Sequence, residues 1–122
     1  MINRKSRVRQ QPYMIRIEDA PGRPTSGGGY LTFFARQEGG FHCGIFTMPP
    51  GVRLSRKVMA HPGPEVYFVL QGTCWCDLPE TGQTFEIPVG HAFYIPAGTP
   101  HAPHNEPGDE EVTVFWACAV WP

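Results

Sequence analysis

Downstream of residue 65 the chain is broken at short, repeated intervals by glycine and proline: Gly72, Pro79-Glu-Thr-Gly82, Pro88-Val-Gly90, Pro96-Ala-Gly98 and Pro107-Gly108-Asp109. The runs between these breaks fall short of the roughly 10–12 residues that an ordinary helix needs. They are rich instead in β-branched and aromatic side chains: Val66 to Gln71, Thr73 to Leu78, Thr84 to Ile87, Ala92 to Ile95 and Val112 to Val120. Upstream, Tyr30 to Arg36 and Phe41 to Met48 have the same character and are separated by Gln-Glu-Gly-Gly, a hairpin connection. Short strands at this spacing close on one another as a sandwich or barrel, so the chain reads as all-β.

One core must serve the whole molecule, because 122 residues suffice for one domain and not two. Residues 1–28 read as a polar, basic, partly ordered arm. The arm holds Pro12, Pro21 and Pro24, ends in Ser26-Gly-Gly-Gly29, and is expected to form one short strand near Tyr13 to Ile17. Residues 29–122 then form the packed domain. Six of the ten Lys and Arg residues fall in the arm, as Arg4, Lys5, Arg7, Arg9, Arg16 and Arg23, yet the formal net charge is −1. Without a basic, aromatic-rich surface elsewhere, the arm is expected to be solvated, with no nucleic acid as partner. The arm has no apolar leader segment, and no run approaches the roughly 18 apolar residues of a membrane span. A cytoplasmic protein without membrane contact is expected. Cys74 and Cys76 share a strand face and are poorly placed for a mutual disulfide, so these and Cys43 and Cys118 are expected as free, mostly buried thiols.

The residues with chemistry cluster around two turns. His61-Pro-Gly-Pro-Glu65 leads into an apolar strand, in which Glu65 shares a face with Tyr67 and Val69 while Val66, Phe68 and Leu70 take the other. A carboxylate facing an apolar interior is costly unless it is paired or holds a cation. His101 follows the Pro96-Ala-Gly98 turn and can be aimed inward by it. Imidazole and carboxylate together suit a divalent transition metal ion such as Fe, Mn, Zn, Ni or Cu.

The same residues resemble the signature of the cupins. Gly90, Pro96, Gly98, His101 and Asn105 meet every position of that family's second motif, and His61, Glu65 and Gly72 meet the latter half of its first. The resemblance spans roughly residues 30–120. It implies a single small cupin β-barrel, a double-stranded β-helix of jelly-roll type, usually a homodimer, with the metal inside its mouth. By resemblance His61, Glu65 and His101 are the metal ligands.

The first motif departs from the family pattern in two places. Met59 stands where the family has another histidine, and Arg53 where it has a glycine, the nearest glycine being Gly51. The fourth coordination position is thus left to the Met59 thioether, to His42 from another strand, or to an open site beside an apolar wall. His104, three residues after His101, is expected on the opposite face, and His91 at the surface. Tyr67 is the candidate proton donor. Val69, Phe93 and Trp116, with Tyr94 and Arg53, are candidates for shaping the pocket. The resemblance implies an enzyme acting on a small oxygen-chelating molecule, by oxygenase, lyase, isomerase or cyclase chemistry. The alternative is a non-catalytic binding or sensing cupin with a weakened metal site.

Overall fold

The computed structural model describes residues 11–121. Nine strands follow one another: β1 (Gly22–Pro24), β2 (Tyr30–Arg36), β3 (His42–Met48), β4 (Glu65–Gln71), β5 (Cys74–Leu78), β6 (Gln83–Ile87), β7 (Ala92–Ile95), β8 (Ala102–His104) and β9 (Val112–Cys118). They form two antiparallel sheets, a six-stranded one in the order β1-β2-β3-β9-β4-β7 and a three-stranded one in the order β6-β5-β8. The fold is the expected all-β jelly roll. Among the described residues the one helical element is a single 3₁₀ turn, Ile17–Asp19.

The arm differs from expectation. Tyr13, Ile15 and Ile17 alternate as a strand would, yet all three are exposed and form no strand. Alternation without a neighbouring edge has nothing to pair with. The pairing falls instead at Gly22–Pro24, which lies antiparallel to Tyr30–Thr32 and extends the sheet by one strand. Arg4, Lys5, Arg7 and Arg9 lie outside the described residues.

Strand alternation places the core. In β9, Val112, Val114, Trp116 and Cys118 are buried and the residues between them are not, and β3 and β4 follow the same parity. The ladders align these inward residues into rows: Val69 with Val114 and Phe46, Tyr67 with Trp116 and Gly44, Glu65 with Cys118 and His42. Gly44 makes the middle row possible. A Cβ there would stand 1.9 Å from the Thr32 carbonyl oxygen and 2.8 Å from the Trp116 ring. The indole of Trp116 therefore fills the space a side chain would take.

The outward face of the large sheet is also apolar. Ile45, Phe115 and Phe68 lie side by side across β3, β9 and β4, and Cys43, Ala117, Val66 and Tyr94 form the next row out to β7. Phe68, Leu70 and Tyr94 are exposed there.

Candidate metal centre and cavity

His61, Glu65 and His101 arrive from three different pieces of chain. Glu65 opens β4 on its inward face, 4% exposed, in the row with Cys118 and His42. His101 precedes β8, and its backbone exchanges hydrogen bonds with Met59 in both directions, His101 N–H to the Met59 carbonyl at 2.8 Å and Met59 N–H to the His101 carbonyl at 2.9 Å. Residues opposed in such a bridge share a face, so Met59 stands beside His101. His61 lies in the loop before β4, where its carbonyl accepts the Gly98 N–H at 2.7 Å. The turn that aims His101 is thus tied to the loop that carries His61. The His61 ring is stacked on Trp121, with centroids 4.4 Å apart.

One donor atom from each of the three residues falls within 4.8 Å of the other two. Glu65 Oε1 is 3.1 Å from His101 Nε2 and 3.7 Å from His61 Nε2. His101 Nδ1 donates to the Thr99 carbonyl at 2.8 Å, which leaves Nε2 as the nitrogen that faces Glu65. Nε2 and Oε1 lie close in the dry interior without forming a hydrogen bond. Both ring nitrogens of His61, Nε2 of His101 and Oε1 of Glu65 are buried without a hydrogen-bond partner. Burial lowers the pKa of His61, more than the neighbouring Glu65 raises it, and so favours its neutral, lone-pair form. Buried nitrogen and oxygen atoms that converge without hydrogen bonds among them are what a cation between them would satisfy, so the residues present fit a divalent ion.

The other sequence candidates fall into place around this group. His42 is buried, but its Nδ1 donates to the Gly40 carbonyl at 3.0 Å and its ring packs on Trp121, which separates it from His61. It does not join the three-residue group. His104 takes the opposite face, as its spacing indicates, and its Nε2 meets Asp77 Oδ1 at 3.0 Å. Asp77 in turn binds Arg53 at 2.7 Å and Thr84 at 2.7 Å, and Arg53 also grips Glu106 at 2.9 and 3.0 Å. Arg53, a pocket candidate in the sequence, is thereby committed to a clasp outside the three-stranded sheet. Burial alone would raise the Asp77 carboxyl, but these donors outweigh it and hold it at about 2. His91 is exposed.

A cavity of about 300 Å³ opens onto the group, with His61, Glu65, Met59 and Tyr67 in its wall. Trp116 lines it, whereas Val69 and Phe93 do not. Val69 lies deeper, in the row closed by Val114 and Phe46, and Phe93 packs against Phe85 at 4.9 Å between centroids. Tyr94 points outward and is exposed. The remaining wall, which the sequence had not indicated, comes from residues 23–26, from Leu31 and Phe46 of β2 and β3, from Leu54 and Ser55 in the loop before β4, and from Trp121. The only sequence sign of Trp121 was an aromatic residue just past the last strand run. The Tyr67 phenol is fully buried, and burial followed by the nearby Glu65 pushes its pKa well above the usual value. It therefore stays protonated as a hydrogen-bond donor. All four cysteines are free. Burial pushes Cys76 up to about 12 and Cys118 up to about 11, and raises Cys74 further, so these three pack as thiols.

Residues 44–118 match the cupin domain family. An uncharacterized protein of Streptomyces coelicolor is 30% identical over 78% of this chain and 85% of its own length. Among solved structures, a predicted oxalate decarboxylase of Thermotoga maritima superposes with a TM-score of 0.74 at 17% identity, over 88% of this chain and 99% of that one. The polyketide cyclase RemF of Streptomyces resistomycificus gives 0.73 at 18% identity, over 89% and 80%. The chain spans 64% of the Cnp3 cupin domain of Schizosaccharomyces pombe, at a TM-score of 0.65 and 22% identity over 75% of its own residues.

Proposed function

Because the chain belongs to the cupin domain family, we propose that it is a metal-dependent enzyme acting on a small organic molecule that offers adjacent oxygens to an ion held by His61, Glu65 and His101. The observation that carries this is the convergence of one buried ligand atom from each of three residues at the end of a cavity, none of them hydrogen-bonded to a partner. A metal-free histidine and glutamate network would hydrogen-bond at least two of them to each other.

A divalent ion bound there would supply Lewis-acid polarisation of substrate oxygens and stabilise negative charge developing on them. The protein's own groups do the rest. Thr99 fixes the tautomer of His101, and Trp121 holds the plane of His61. Tyr67, in the wall beside Glu65 and kept protonated, is placed to donate a hydrogen bond or a proton to bound substrate. Met59 presents an apolar thioether next to His101 and leaves a coordination position for substrate. Of two proteins with this fold, one is named as a polyketide cyclase and the other as a predicted oxalate decarboxylase. We assign this chain to the same broad range, oxygenase, lyase, isomerase or cyclase chemistry on a chelating substrate.

We read the outward apolar face of the six-stranded sheet as a homodimer contact, because its two rows of Ile45, Phe115, Phe68, Val66 and Tyr94 are continuous across four strands. Four free thiols suit a reducing compartment such as the cytoplasm. Among the described residues, no helix is long and apolar enough to cross a membrane.

The test is metal analysis of protein purified without added metal. Stoichiometric iron, manganese, nickel, copper or zinc, lost in a His101→Ala variant, is expected. Metal-free protein whose stability ignores both chelator and added divalent ions would overturn the assignment and leave a non-catalytic binding module.

A further inference from the structure

Among the described residues, Arg23 is the one lysine or arginine side chain in the wall of the 300 Å³ cavity. It sits on β1, the edge strand of the large sheet, directly opposite Leu31. Residues opposed in an antiparallel ladder share a face, and Leu31 is a core residue that itself lines the cavity. Arg23 is therefore an inward-facing cation at an exposed edge. Its guanidinium carbon stands 5.6 Å from the centroid of the Phe33 ring, and that of Arg36 stands 4.8 Å from the same centroid. Two like charges share one aromatic ring. Arg16 and Arg53 have carboxylate partners, whereas among the described residues neither Arg23 nor Arg36 forms an ion pair.

We propose that Arg23 is the anion-recognition residue of this cavity, and that the ligand is an elongated aromatic molecule with an anionic group at the end away from His61, Glu65 and His101. The orientation of the ligand rests on the metal-site reading above; the anion recognition does not. Four strand spacings separate β1 from β4 in the sheet, roughly 19 Å along its curled surface, so the cation and Glu65 stand on different parts of the cavity wall. Between them the wall is aromatic, from Phe46, Tyr67, Trp116 and Trp121, which suits flat rings. The buried indole N–H of Trp116 has no acceptor in the protein and adds an unused donor to that wall. At interior packing density the volume holds roughly 15 non-hydrogen atoms, the size of a bicyclic ring system with a small substituent.

An inward charge on an edge strand can serve instead to block edge-to-edge association. The two roles give different results. Naphthalene-2-sulfonate and its neutral isostere naphthalene-2-sulfonamide are titrated by calorimetry into full-length protein, both after chelator treatment and after loading with Zn or Fe(II). Wild-type protein is expected to prefer the sulfonate at least tenfold in either state. Arg23→Gln is expected to lose that preference while keeping its sulfonamide affinity and its sedimentation behaviour, and Arg36→Gln to retain it. Equal affinity of wild type for the two probes, a preference that survives Arg23→Gln, or failure of both probes to bind would overturn the proposal. So would an Arg23→Gln variant that only aggregates while Arg23→Lys, soluble and still cationic, shows no preference. Metal binding is read in the same samples. A charge preference in protein that takes up no metal would sink the metal assignment alone, and metal uptake without a charge preference would sink the Arg23 assignment alone.

Discussion

Replacing Glu65 by glutamine is expected to stabilise the metal-free protein while removing its metal binding. Glu65 is 4% exposed, and its Oε1 lies 3.1 Å from His101 Nε2 without a hydrogen bond. Leaving a buried polar atom unsatisfied costs about 1–3 kcal/mol, and more when the group is charged. Glutamine keeps the shape and can turn its amide N–H toward His101 Nε2, which the Thr99 carbonyl holds in the accepting tautomer. The expected gain is about 1–3 kcal/mol in chelator. For a domain of this size that is a rise in melting temperature of roughly 3–12 °C, read by circular dichroism. With a divalent ion at 100 times its dissociation constant, wild-type protein gains about 2.7 kcal/mol and Glu65→Gln gains little, so the order of stability reverses or closes. A variant that melts lower than wild type in chelator, or is stabilised by the ion as much as wild type, would refute the reasoning. The carboxylate would then be serving the fold, not a cation.

Met59→His places an imidazole beside His101 through the backbone bridge between positions 59 and 101, and metal affinity is expected to rise at least tenfold by competition with a chromophoric chelator; unchanged affinity would mean that this side chain does not face the ion. Asp77 is held at about 2 in the folded state, below its ordinary 3.8, so its contribution is complete above about pH 4 and is lost as pH falls toward 2. After discounting for its partial exposure we expect this to be worth about 1–2 kcal/mol, and Asp77→Asn to flatten acid unfolding in that window; an unchanged acid limb would show that the clasp with Arg53 and His104 contributes nothing to stability. Phe68→Lys, on the outward face of β4, is expected to convert a dimer to a monomer in sedimentation without lowering metal content, whereas a wild-type monomer would remove the dimer assignment.

Seven of the nine strands coincide, to within a residue or two, with runs visible in the sequence, because each is a short apolar or alternating segment bounded by glycine or proline. The two others carry no such signal. Ala102–His104 contains Pro103 and is held as the edge of the small sheet by β5. Gly22–Pro24 is a strand only because β2 lies beside it.

The site divides along the same line. Period-two alternation showed that Glu65, Tyr67 and Val69 share an inward face and that His104 opposes His101, and motif spacing singled out His61, Glu65 and His101 before any coordinates. Alternation says which way a side chain points but not how deep along the sheet it lies. For that reason Trp116 reaches the cavity wall while Val69 and Phe93 are spent in packing. Arg23 and Trp121, far apart in sequence and outside both motifs, meet the same cavity because the sheet curls and Trp121 is tied by its backbone N–H to the Gly40 carbonyl. Local sequence determined the strands, their faces and three converging acceptors, since those depend on neighbours within a few residues. The cavity's depth, its aromatic wall and its lone cation were decided by contacts between distant segments, which exist only once the sheets have closed.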